Sequence, residues 1–403
     1  MACVRRLLLL LICLAVLTPT VYLQQGKLEP VRQPSRLYQV STRDELSGER
    51  RFGFIDKTGK LVIGFGRLPR TTAEVFEFRE GRAVIYLKKD ERGESTGGTK
   101  YVAGYIDETG ELIIAPRFDY ALPFSEGLAF VEGEGFRGLI DRHGRPVASV
   151  DGYAKDFHEG LAVGKPEGSG MWGYIDHSGR FAIKAQYVFA DDFSEGLAGV
   201  VVNGKYGFIN KIGEMVIQPR FELQRGGRHG QLIISSGRFS EGLACVRVGE
   251  LYGYINSKGD FVIQPQFLHA QDFSEGLAWV VTRDETTGIA NKAGWINKSG
   301  QWVVTGVQGR SFSPGLREFF SYTNQLLDWR YSGGLVPFII YSGEKTLRGY
   351  MNQKGEVVVK PGEFNEAGPF VGGLAKVSFY VDGDKGSGYG YIDRKGQFIW
   401  RSK

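Results

Sequence analysis

The sequence predicts an all-β protein of tandem antiparallel β-hairpin repeats, about nine of them, forming an open, curved β-solenoid-like array; a closed β-propeller is the alternative. Three observations carry this prediction. A motif of Gly-aromatic-Ile-Asp/Asn, with a second Gly three residues after the Asp or Asn, recurs along the whole chain. A second motif, Phe-Ser-Glu-Gly-Leu-Ala, recurs between its copies. Nothing beyond the N-terminal segment shows the apolar period of a helix. Repetition at a spacing of a few tens of residues marks a modular architecture in which each unit buries its face against its neighbours.

The first motif stands at Gly53-Phe54-Ile55-Asp56, Gly104-Tyr105-Ile106-Asp107, Gly173-Tyr174-Ile175-Asp176 and Gly207-Phe208-Ile209-Asn210. It returns at Gly253-Tyr254-Ile255-Asn256, Gly294-Trp295-Ile296-Asn297 and Gly390-Tyr391-Ile392-Asp393, with looser copies at Gly138 and Gly349. Its chemistry is turn chemistry. The Asp or Asn side chain accepts a backbone N–H two residues on, and the later Gly supplies the left-handed conformation that closes the hairpin. β-favouring runs follow, such as Leu112-Ile113-Ile114 and Phe261-Val262-Ile263, and Pro116, Pro219, Pro265 and Pro361 end them.

The second motif occupies Phe124–Ala129, Phe193–Ala198, Phe239–Ala244 and Phe273–Ala278, with variants at Phe78, Phe157 and Phe370. Its Gly permits a tight reversal, its Leu-Ala opens the next strand, and its Phe anchors the turn. One unit therefore holds three strands plus a shorter extended piece such as Tyr187–Ala190, paired antiparallel with its neighbours in sequence. A count of nine, unequal unit lengths and a last unit that ends after Phe398-Ile399 without its fourth element favour the open stack. Closed propellers usually have roughly four to eight blades.

This pattern resembles the WG-repeat family, named for Trp or another aromatic before Gly. Met171-Trp172-Gly173-Tyr174-Ile175-Asp176 matches its signature directly; Tyr206, Tyr252 or Tyr389 takes the Trp position elsewhere, and Arg137 departs from it. The resemblance spans about Tyr38 to Trp400. It implies a bacterial repeat protein whose role is scaffolding or binding more than chemistry.

Composition agrees with a turn-dense β protein: 58 Gly in 403 residues, against only 14 Pro, is about twice average Gly usage. The net charge of +5 is small, with the two signs interspersed, so no nucleic-acid footprint is present. Arg5-Arg6 and the apolar run Leu7–Leu17 read as a secretory signal peptide or signal anchor over residues 1–23. Residues 24–36, with Pro30 and Pro34, read as a linker, and 37–403 as the repeat array. This predicts an exported protein that is periplasmic, at the cell surface or held in the membrane by its N-terminal segment alone. Beyond that segment only Cys245 remains, and its place in Leu243-Ala244-Cys245-Val246 marks a small buried hydrophobe.

Three insertions break the period: Lys88–Lys100, Glu222–Gly237 and Ser311–Glu344. The third is dense in aromatics. Trp329, Tyr331, Phe319, Phe320 and Tyr322 are its candidate partner-binding residues, since aromatic faces give large contact area at little entropic cost; the alternative is a divergent repeat whose aromatics fill its own core. The sequence offers no catalytic, cofactor or metal constellation. Gly133–Gly138 matches G-x-G-x-x-G but lies between strands, where no helix N-terminus can receive a phosphate. Gly199–Lys205 opens like a phosphate loop but reads as a hairpin. The repeated carboxylates Glu126, Glu159, Glu195, Glu241 and Glu275 form a row that could bind cations or a basic partner, or simply line exposed turns. The reading that follows is a non-enzymatic exported protein presenting a surface to an envelope partner, protein or polysaccharide. A structural spacer and a hydrolase on a propeller fold are the other two.

Overall fold

The turns form as their chemistry dictates. In the computed structural model, each Asp or Asn of the nine first-motif copies accepts, through Oδ1, the backbone N–H groups two and four residues on. In the Phe-Ser-Glu-Gly turns, Glu126 and Gly127 have φ of 51° and 83°, the double left-handed pattern of a type I′ hairpin turn. The same pattern closes the two phosphate-loop look-alikes, at Glu134-Gly135 and Asn203-Gly204.

The structure describes residues 36–402 apart from 45–46, 90–99, 224–236, 284–289, 308–309, 312–328, 343–344, 363 and 381–386. The proposed signal and most of the proposed linker thus lie outside the described residues. Among the described residues no helix is long and apolar enough to cross a membrane.

The strands hydrogen-bond into eight antiparallel sheets of three to six strands, with one small hairpin, Gly306–Val307 with Arg310–Ser311. Each sheet is a blade. The first holds β1 (Tyr38–Arg43), β2 (Arg50–Ile55) and β3 (Leu61–Ile63). A complete blade has four strands, as in Tyr120–Ala121, Leu128–Gly133, Phe136–Asp141 and Pro146–Ser149. The six-stranded sheet holds two motif copies, Gly253 and Gly294, so nine copies occupy eight sheets. There the long strand Phe261–Ala270 is the outer strand of one copy and the inner strand of the next.

Hydrophobic cores lie between blades rather than within them. Tyr105 and Ile114 of one blade pack with Ala121, Phe124 and Val131 of the next. At such seams a Tyr hydroxyl and a backbone amide form a relay. Tyr105 donates to Leu122 O at 2.7 Å, and Leu122 N donates to Phe130 O at 2.9 Å. Tyr174 with Asp191 and Tyr254 with Gln271 repeat it.

The open array is overturned: the blades close into a ring, so the fold is a β-propeller. Tyr38, Val40 and Ile55 of the first blade share a core with Leu374 and Tyr391 of the last. Tyr38 donates to Val371 O at 2.8 Å and Tyr391 to Gln39 O at 2.9 Å. Gly59 packs on Ile399 as Gly144 packs on Ile114.

A second expectation is corrected with it. The short extended piece pairs with the strand that follows it, as Phe189–Ala190 pairs with Val200 and Val201. It therefore opens a blade instead of ending one. The last blade is complete with four strands; among the described residues two blades have three, the first and the one built on Leu335–Ser342, Lys345–Asn352 and Val357–Gly362.

The inner and outer edges follow from contacts. Ser hydroxyls of successive Phe-Ser-Glu-Gly turns reach the next turn's backbone, as Ser194 to Phe239 O and Ser240 to Phe273 O at 2.7 Å, so this edge is the narrow inside of the ring. The last strands fan apart and expose Val62, Val216, Val262, Val303 and Val358. Antiparallel order then assigns the two ring faces. One carries the Phe-Ser-Glu-Gly and Asp/Asn turns. The other, the loop face, carries the hairpin ends between second and third strands and the connections between blades.

Candidate functional site

On the turn face the repeated glutamates are spent on the fold. Glu80 accepts Gly127 N at 2.9 Å, Glu126 accepts Gly160 N at 3.0 Å and Glu159 accepts Gly196 N at 3.0 Å. Glu195, Glu241 and Glu275 accept Gly242, Gly276 and Gly334 at 2.8, 2.9 and 2.8 Å. Each Glu sits in a left-handed conformation that costs an ordinary residue about 1–2 kcal/mol, and its carboxylate clasps the same turn of the next repeat. Cations close several clasps: Arg142 on Glu80, Lys211 on Glu159 and Lys298 on Glu241, and the His177 Nε2 lies 2.9 Å from Glu126 Oε2. The carboxylate row is an inter-repeat belt. Among the described residues no group of three or more His, Cys, Asp and Glu converges as a metal site would.

The belt has a pH consequence. Burial pushes the Glu80 and Glu159 carboxyls up, but the Arg142 and Lys211 side chains and the Gly127 and Gly196 amides outweigh it, holding both below the ordinary 4.5. A carboxyl depressed in the folded state stabilises above its unfolded pKa and loses that contribution as pH falls through the folded value. The melting temperature is therefore expected to fall as pH drops below about 4.5. Glu159→Gln should flatten that acid slope in a thermal melt series; an unchanged slope would remove the clasp from the explanation.

The aromatic insert divides. Trp329 is 6% exposed and Tyr331 1%, both in a core with Trp279, Trp295 and Phe338. As candidate partner-binding residues they are corrected to core residues: Tyr331 occupies the place that Phe takes in the second motif, and Ser274 donates to its carbonyl at 2.7 Å. Phe319, Phe320 and Tyr322 lie outside the described residues. Cys245 is buried as expected, its Sγ 3.8 Å from Ala270 O.

The loop face carries a patch that motif reading missed. Tyr120 and Tyr153 begin the inner strands of two neighbouring blades, Trp172 begins a third strand and Lys165 ends a second strand. These strand ends share one face. The rings form a chain, Tyr120 to Tyr153 at 6.2 Å and Tyr153 to Trp172 at 6.5 Å. The ammonium groups of Lys155 and Lys165 stand 5.3 and 5.5 Å from the Trp172 ring centroid. The ring face attracts each cation by about 0.5–1 kcal/mol when exposed, which holds two like charges near one ring. Tyr120 and Met171 stay open at 37% and 42%. Met171-Trp172 flags the site in the sequence, but its partners come from distant positions.

The residues leading into Lys88–Lys100, Glu222–Gly237 and the 312–328 stretch leave the ring from this same face, at the ends of Arg82–Lys88 and Met215–Phe221 and beyond Val307. Five stretches, residues 104–135, 172–206, 206–223, 252–284 and 349–379, match the family model of the WG containing repeat. The chain carries WG repeats. Trp172, the signature's own Trp, is half-buried at the loop face, as Tyr389 is at its own WG position, whereas Tyr206 and Tyr252 in the equivalent positions are buried.

A crystal structure of a eukaryotic initiation factor is similar to the WG-repeat ring with a TM-score of 0.53 at 9% identity, covering 91% of this chain and 96% of that one. At that identity the likeness extends to the fold alone. Hsv2p from Kluyveromyces lactis gives 0.32 at 9% identity over 81% of this chain and 98% of its own. A quinonprotein alcohol dehydrogenase-like protein from Bacteroides thetaiotaomicron gives 0.31 at 12% over 66% and 74%. No curated protein matches the chain.

Proposed function

We propose that this WG-repeat propeller is a non-enzymatic, exported binding scaffold whose loop face holds an anionic envelope partner, a polysaccharide or a protein. The observation that carries the reading is the Lys155–Trp172–Lys165 cluster beside Tyr120 and Tyr153. It joins two cations and partly exposed rings, from two blades, on the face from which the insertions leave. Rings give contact area and lysines give charge complementarity to phosphate or carboxylate groups. The opposite face has its carboxylates committed to the belt. The N-terminal basic-apolar segment supports an envelope location.

The test is retention of the full chain on sacculi, purified anionic polysaccharide and solubilised membrane protein. Saturable retention on one fraction is expected. The double variant Lys155→Glu, Lys165→Glu should reduce it roughly tenfold, about 1.4 kcal/mol, with an unchanged melting temperature. Retention indifferent to the double variant would move the site elsewhere. No retention on any fraction would leave the spacer reading.

A further inference from the structure

The seam between the last blade and the first differs from the Tyr105, Tyr174 and Tyr254 seams at one hydrogen bond. At those three a residue of the inner strand stands between the Tyr hydroxyl and the second strand, accepting from one and donating to the other. At this seam Tyr391 donates directly to Gln39 O of β1, the carbonyl equivalent to Phe130 O. Tyr389 lies 3.0 Å from Ser41 Oγ along the same edge. The side chains have adjusted as well. Tyr38 stands where Ala129 stands, each opposite the motif Ile. Its ring meets Tyr391 edge-on at 5.4 Å, as Phe124 meets Tyr105 at 4.9 Å elsewhere.

Tyr38 fills only part of the space. A cavity of about 560 Å³ remains at the seam, lined among others by Gln39, Ser41, Phe52, Val377 and Tyr389. Two exposed cations border it. Lys376 sits 4.7 Å from the Tyr389 ring centroid and Arg50 5.9 Å from that of Phe52, against one carboxylate, Glu366.

We infer that this seam accepts an extended, acidic peptide segment of a partner protein as the inner strand of the first blade. One residue of the segment inserts into the Tyr391–Gln39 bond. Its N–H donates to Gln39 O and its carbonyl accepts the Tyr391 hydroxyl, so one hydrogen bond becomes two and the relay matches those of Tyr105, Tyr174 and Tyr254. Burial keeps the Tyr391 phenol well above its ordinary 10, so it remains a donor. A small apolar residue beside the insertion faces Val40, as Ala121 faces Val131, and a carboxylate meets Arg50 and Lys376. Strand addition to a free edge draws affinity from main-chain bonds and specificity from such pockets. The chain's own sequence ahead of β1 does not spell this strand: Gln33-Pro34-Ser35-Arg36 stands where other repeats have Phe-Ser-Glu-Gly. Pro34 lacks the N–H with which Ser125 closes its turn onto Leu128 O.

The probe is a fluorescent peptide copying the inner strand of another blade, Phe118–Phe124, titrated onto the full chain and read by anisotropy. Saturable binding is expected. Methylating the peptide nitrogen at the Leu122 position should weaken it roughly fivefold or more, and Arg50→Glu with Lys376→Glu should weaken it similarly while leaving the melting temperature in place. Absence of saturable binding to the full chain overturns the proposal, as does equal binding of the methylated peptide. This seam is separate from the Trp172 patch, so failure here leaves the envelope-fraction experiment unaffected, and the reverse holds too.

Discussion

Trp295→Ala is expected to destabilise the protein by about 3–5 kcal/mol, the range for emptying a buried Trp site. Trp295 is fully buried, and its Nε1–H donates to Trp329 O at 2.8 Å. Its ring lies 4.6 Å from Trp279 and 5.6 Å from Tyr331, and Trp279 stacks on Trp329 at 5.1 Å. The substitution leaves a cavity at a seam between two motif copies and removes the Trp295 Nε1–H donor from the Trp329 carbonyl, and the two losses add. The check is the urea midpoint of unfolding, with Val216→Ala on the exposed outer edge as the control; Val216 is 42% exposed, and its loss should stay within about 0.5 kcal/mol. Tryptophan emission should shift as well, since three of the six Trp meet in this cluster. Equal midpoints for the two variants would mean that the cluster is not a packed core.

Gly59→Ala is the second large effect, and it tests ring closure. Gly59 has φ of +85°, and a Cβ there would stand 2.5 Å from Ile399 O across the seam between first and last blades. The substitution therefore combines left-handed strain of about 1–2 kcal/mol with a clash against backbone. Gly81→Ala supplies the comparison: its φ is +74° with nothing within 4 Å of a new Cβ, so it carries the strain alone. Gly59→Ala should lower the melting temperature clearly more than Gly81→Ala, and the excess belongs to the closed seam. Equal losses would mean that the first and last blades are apart in solution.

The turns and strands were legible because their causes are local. An Asp or Asn followed by Gly specifies a hairpin whatever surrounds it, and the nine copies all formed one. The short extended piece was legible as an element but not in its pairing. Tyr187–Ala190 is contiguous with the strand before it in sequence, yet its last residues bond to the strand after it, and that choice depends on where the backbone turns. The glutamates were legible as a row. Their use as clasps was not, because the acceptor's partner is an amide of the next repeat, from 34 residues away in Glu126 to Gly160 to 59 in Glu275 to Gly334.

Trp329 and Tyr331 show the same division from the other side. Aromatic density marks a place where much area is buried, but it does not say whether a partner or the chain itself supplies the covering surface. Here the neighbouring blade supplies it. Tyr120, Tyr153, Lys155 and Lys165 gave no signal at all, since they become a patch only when two blades stand side by side.

By itself the sequence determined an all-β chain of WG repeats and the position of every Asp/Asn-Gly turn. The tertiary structure decided that the array closes, with which strand each short extended piece pairs, and which exposed side chains share a face. Turn and strand preferences are set within a few residues by backbone conformation and side-chain hydrogen bonds. Closure is set by the angle between successive blades, a small quantity accumulated around the ring, and it becomes visible only where the first blade meets the last, at Tyr38, Gly59 and Tyr391.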